Sequence, residues 1–101
     1  MVEKKRALVW DIEAKEHLQK IYEHIKKDSI SSAQKVKSEI LSTVKKLKKN
    51  PEMFPPDRFK IDNAGNYRSF EKYSYRVTYK HTGKEIRIIR IRHTKQEPLE
   101  Y

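Results

Sequence analysis

The stretch IRIIRIRHTKQEPLEY sets Arg87, Arg90 and Arg92 among isoleucines and then reaches His93. An arginine guanidinium is a planar fork that matches two oxygens of a phosphate or carboxylate. An imidazole, with a reference pKa of about 6.5, gives or takes a proton near neutral pH. A further arginine, Arg76, stands in YRVTYK, where Val77 and Tyr79 share one strand face and Arg76 and Thr78 the other. These residues predict an anion-attracting strand surface with a titratable ring where one strand ends.

Other chemistries find no support. There is no cysteine, so neither disulfides nor thiolate chemistry is available. His17 and His24 stand seven residues apart on a predicted helix, about 10 Å along its axis, too far for one metal ion to bridge. No glycine-rich phosphate loop and no Ser-His-Asp or Cys-His pattern is present. No metal and no cofactor are expected.

The positions of these residues depend on the elements around them. Residues 2–10 predict a first strand, apolar from Ala7 to Trp10, with Asp11 as the cap of the next element, a helix. Ala14, Leu18, Ile21, Tyr22 and Ile25 recur at helical spacing and give that helix one apolar stripe. After a polar turn over 28–32, in which Ser31 or Ser32 can cap, Ala33, Val36, Ile40, Val44 and Leu47 form a second stripe. Asn50-Pro51 ends it, because a residue before proline avoids helical geometry. So short a connection predicts an antiparallel helical hairpin.

Residues 51–66 read as a loop that Met53, Phe54 and Phe59 pin to the core. Three strands come next, over 67–71, 75–80 and 85–93, with a turn at His81 to Lys84. In the last strand Ile86 and Ile88 have one parity and Ile89, Ile91 and His93 the other. Either the strand is central and buried on both faces at its start, or a bulge shifts the register near Ile88-Ile89. The expected fold is α+β, two-layered, in the order β-α-α-β-β-β. An antiparallel sheet packs on the N-terminal helical hairpin, within a single domain over residues 1–101.

The chain of 101 residues carries 24 Lys+Arg against 14 Asp+Glu, a formal net charge of +10. Such a charge opposes compaction by self-repulsion and points to nucleic acid or an acidic protein partner. No segment approaches the roughly 20 apolar residues that span a bilayer, and MVEKKRALVW lacks the apolar region of a signal peptide. The expectation is a cytoplasmic protein with no membrane partner.

The strand and helical hairpin at the start, the YRVTY strand and the IRIIRIRHTKQEP ending, in this order, resemble the RelE/ParE superfamily. These are toxins of bacterial type II toxin–antitoxin systems, plasmid stabilisation proteins among them. The resemblance spans nearly the whole chain, and the long hairpin leans towards the ParE-like side. It implies a compact toxin neutralised by a cognate antitoxin. RelE-like members cleave mRNA in the ribosomal A site, whereas ParE-like members inhibit DNA gyrase and are not nucleases.

Metal-free RNA cleavage needs a proton acceptor for the 2′-OH, a proton donor for the leaving oxygen and cations for the phosphorane. By the resemblance, Arg76 matches the arginine that contacts the scissile phosphate, and His93 the terminal-strand general acid. Arg68, Lys72, Arg90, Arg92 and Lys95 then offer nucleic-acid contacts, and Tyr101 a ring to stack on a base. The plain alternatives are a surface ion pair for Arg76, a backbone-bonded ring for His93 and a frayed last residue for Tyr101. No convincing general base appears; Glu71 and Glu97 are the nearest acids in sequence. Lys45, Lys46, Lys48 and Lys49 read as a solvated helix end, or as contacts to ribosomal RNA phosphates.

The leading expectation is therefore an endoribonuclease that acts with the ribosome on mRNA. The alternative is a non-enzymatic inhibitor of DNA gyrase. In either case the antitoxin should be acidic and amphipathic, lying over the helices or the open sheet face.

Overall fold

The computed structural model describes residues 6–96 and 100–101. The predicted start of the first strand, residues 2–5, and Glu97 lie outside them. The elements are β1 (Ala7–Trp10), α1 (Ile12–Lys26), α2 (Ile30–Lys46), β2 (Tyr67–Lys72), β3 (Tyr75–His81) and β4 (Glu85–His93), then a short 3-10 turn at Thr94–Gln96. This is the expected β-α-α-β-β-β order. Among the described residues no helix is long and apolar enough to cross a membrane.

The sheet runs β1-β4-β3-β2. β2, β3 and β4 form the expected antiparallel meander, but β1 pairs parallel to β4, with Ala7 opposite Glu85 and Trp10 opposite Ile88. The sheet is therefore mixed rather than wholly antiparallel. The connections between strands explain the difference. β2 and β3 turn back through tight hairpins, whereas β1 leads into the helices, and a helical crossover permits parallel pairing.

Helix α1 starts after Asp11, as expected, but the Asp11 carboxylate makes no cap. It accepts from the Arg87 guanidinium at 2.6 Å instead. Helix α2 begins earlier than the polar turn suggested. Its cap is Ser29, whose hydroxyl accepts from the Ser32 N–H at 3.1 Å, so neither Ser31 nor Ser32 caps it. Ser29→Ala should cost about 1 kcal/mol, the usual worth of a serine cap, as a lowered urea midpoint with an unchanged slope.

The core lies between the helices and one sheet face. Leu18, Val36, Ile40, Val44 and Leu47 meet Phe70, Val77, Tyr79, Ile86, Ile88 and Ile91. Each such side chain contributes about 1.5–3 kcal/mol when fully buried. The loop after α2 is held by Phe54, which stacks on Phe70 with ring centroids 4.8 Å apart. Met53 is exposed and is not among the side chains packed on the core, while Phe59 lies beneath the Arg76 guanidinium on the far sheet face.

The uneven isoleucine pattern is resolved by a bulge. β4 is the central partner of β1 and β3, and its register to β3 shifts between Thr78 and Tyr79. Thr78 faces Arg90 and Tyr79 faces Ile88, so Ile89 is the extra residue. A bulge reverses side-chain parity. Ile86 and Ile88 before it, and Ile91 after it, thus all reach the core.

Candidate functional site

The sheet face away from the helices carries two cross-strand rows. Ser69, Thr78 and Arg90 form one; Glu71, Arg76 and Arg92 form the other. Because of the bulge, Arg90 and Arg92 stand beside Thr78 and Arg76 rather than on the core face that Ile86 and Ile88 occupy. Like charges directly opposite are unfavourable, and Glu71 beside Arg76 offsets the Arg76–Arg92 pair.

Arg76 is largely buried and makes an ion pair with Glu71. It also donates to the Ser69 hydroxyl at 3.2 Å and sits over the Phe59 ring. Glu71, one of the two acids near enough in sequence to be a base, is thus held as the partner of a cation. Glu97, the other, lies outside the described residues.

Tyr101 covers part of this face, with the Arg90 guanidinium 3.9 Å from the ring centre. Its hydroxyl donates to Asp57 at 2.6 Å. Its backbone N–H donates to the Phe59 carbonyl at 3.0 Å, and its carbonyl accepts from the Ile61 N–H at 2.6 Å. Tyr101 is therefore a pinned residue, not a frayed one. Burial, then the bond to Asp57, drives its pKa well above the ordinary tyrosine value. Its ring has one face against a cation and its hydroxyl committed, which leaves it poorly placed to stack on a base.

Asp57 was not singled out by its sequence context, PPDRF, yet it organises this face. It is 2% exposed. Besides Tyr101, it accepts weakly from the Ser69 hydroxyl and the Phe59 N–H, both at 3.4 Å. Nothing local in the sequence marks it, because the partner that buries it comes from the other end of the chain.

Arg68 serves the loop. It donates to the carbonyls of Gly65 at 2.9 Å and Phe54 at 2.8 Å. Lys72 ends β2 opposite Tyr75. Lys95 is exposed on the 3-10 turn, and Arg92 reaches the Gln96 carbonyl at 3.4 Å. Lys45, Lys46 and Lys49 are exposed and Lys48 is half-buried at the end of the hairpin, so these lysines make a largely solvated helix end.

His93 belongs to the other side of the sheet. It pairs with Tyr75, while Arg76 pairs with Arg92. Its ring meets the Tyr75 ring edge-on at 5.1 Å. Its Nδ1 accepts from the Lys95 N–H at 3.0 Å, a backbone bond as the plain alternative had it, but with the ring accepting. It shares a cleft with His17 and His24 of α1. Adjacent strand residues point to opposite faces. The two residues proposed to act on one phosphate, Arg76 and His93, are therefore separated by the sheet itself.

His17 is a second residue whose role the sequence reading missed. Its Nδ1 accepts from the Ile91 N–H at 3.2 Å, beside the bulge. Burial lowers its pKa and favours the neutral ring. The signal was present: His17 falls within the stripe of Ala14, Leu18 and Ile21. Among the described residues no group of three His, Cys, Asp or Glu is placed to hold a metal ion.

Comparison with known proteins bears on this arrangement. No curated protein sequence is matched. A chain described as the chromosomal ParDE toxin–antitoxin system from P. aeruginosa superposes with a TM-score of 0.68. It is 24% identical, with 88% of this chain and 96% of that chain covered, which establishes a shared fold. The family model for the ParE toxin of the type II toxin–antitoxin system parDE matches residues 8–98. That span takes in every described helix and strand except the first residue of β1, and on it the chain belongs to the ParE toxin family, the toxin half of a type II pair whose partner is an antitoxin.

Proposed function

We propose that this toxin acts by inhibiting DNA gyrase, without nuclease chemistry. The observation that carries this reading is the separation of Arg76 and His93 onto opposite sheet faces. In the mRNA-cleavage scheme one residue clamps the scissile phosphate while the other protonates its leaving oxygen, so both must reach the same few atoms. The ion pair between Glu71 and Arg76 and the hydrogen bond from Tyr101 to Asp57 further support it. Each of those groups already has a structural task. Membership of the ParE family favours the same side, since ParE-like members act on gyrase. The ribosome-dependent cleavage expected from the histidine ending has less support.

Two assays with the purified protein separate the readings. Gyrase supercoiling should be inhibited in proportion to added toxin, while mRNA on translating ribosomes stays intact. Ribosome-dependent cuts that disappear in Arg76→Ala or His93→Ala would overturn the proposal. So would supercoiling that proceeds unchanged at a large excess of toxin.

A further inference from the structure

A cleft of about 240 Å³ lies between α1 and the ends of β3 and β4. Its polar lining is His17, Lys20, His24 and His93, together with Gln96, and its apolar floor includes Tyr75 and Ile91. Among the described residues no carboxylate lines it. Glu13 and Glu16 act on His17 electrostatically from the same helix but stand outside the lining.

The histidines here are prepared as donors. The Nδ1 atoms of His17 and His93 each accept a backbone N–H, from Ile91 and Lys95 respectively. A neutral imidazole so engaged carries its proton on Nε2. Two ring N–H groups and one ammonium thus border a small cavity with an apolar base. The edge-on Tyr75 ring braces His93. A group that accepts hydrogen bonds, bears negative charge and brings an apolar neighbour suits this cleft. The arginines that suit a phosphodiester, Arg76 and Arg90, sit on the opposite face. In a chain of formal net charge +10, charge complementarity favours an acidic partner.

We propose that this cleft docks a glutamate or aspartate side chain of a protein partner, whose carboxylate accepts from His17 and His93 while an adjoining apolar residue rests on Tyr75 and Ile91. The assignment rests on the cleft alone and not on gyrase as the target, so either can fail while the other stands.

The probe is N-acetyl-leucyl-glutamate amide, added to the full chain near neutral pH while the histidine ring C–H signals are followed by NMR. The His17 and His93 signals should shift saturably. The leucyl-glutamine analogue, identical in shape but uncharged, should bind at least about fivefold more weakly, as expected where charge-assisted hydrogen bonds carry the contact. His93→Phe should abolish the response. Lys20→Met, a change at an exposed helix position that leaves the fold intact, should weaken it severalfold. Ring signals that stay still would overturn the proposal, as would equal binding of the two peptides. Inorganic phosphate that moves the same signals as strongly would make the cleft a general anion site and would likewise overturn it.

Discussion

Tyr79→Ala should destabilise the protein by about 3–5 kcal/mol, the usual cost of deleting a buried aromatic side chain. Set against the roughly 5–15 kcal/mol that holds a typical domain folded, that loss leaves little margin. Tyr79 is fully buried at the β-bulge, among the largest side chains of the core. Its hydroxyl donates to the Pro51 carbonyl at 2.7 Å and so ties the residue that ends the helical hairpin to the sheet. Tyr79→Phe keeps the ring and strands that carbonyl, for about 1–2 kcal/mol. Urea unfolding of both variants checks the ordering.

The same residue makes a pH prediction. Burial raises the Tyr79 pKa from the ordinary 10.0 to about 12. The folded state therefore holds the phenolic proton more tightly than the unfolded chain does. This contribution to stability is complete below pH 10 and is lost as pH rises through about 12. Tyr101, whose pKa is also raised, adds to the decline with the same sign. Base titration of unfolding should show a steep alkaline limb that is shallower in Tyr79→Phe. An identical limb in that variant would refute the assignment.

Asp57→Ala should cost about 2–4 kcal/mol, because it leaves buried donors without an acceptor. The Tyr101 hydroxyl, the Ser69 hydroxyl and the Phe59 N–H all point at this carboxylate. Tyr101→Phe should cost about 1.5–3 kcal/mol, the worth of a hydrogen bond to a charged group. The two changes remove the same contact from its two ends, so the double variant should fall well short of their sum. A double-mutant cycle from urea melts measures this coupling. Strict additivity would show that the bond between Tyr101 and Asp57 contributes nothing.

What the sequence revealed was whatever repeats over short distances. The stripes of Leu18 and Ile21, and of Val36, Ile40 and Val44, are set by helical geometry and needed no tertiary information. The alternation of Val77 with Arg76 was equally plain. Ile88-Ile89 announced an irregularity and left two explanations; the bulge decides between them by bringing Ile91 into the core. Less was legible where partners are distant. The parallel pairing of β1 depends on a crossover, not on any residue in ALVW. Asp57 becomes an organising group only when Tyr101 folds onto it. Arg76 and His93 drew attention by residue type, and each lies at the expected point of its strand. Strand parity alone could not reveal that they face apart, because the bulge intervenes and the facing partners are set by register.

The pairing of β1 with β4 has a consequence for synthesis. β1 joins the sheet only through β4, whose Ile86, Ile88 and Ile91 stand in the core beside Phe70, Val77 and Tyr79. Contacts between residues so far apart in sequence form slowly and late. A nascent chain that has released its helical hairpin still lacks the surface on which the hairpin packs. Interrupted translation products that stop before β4 would thus hold at most the β2–β3 hairpin, with β1 left without its sheet partner and the core incomplete, and would be exposed to proteolysis.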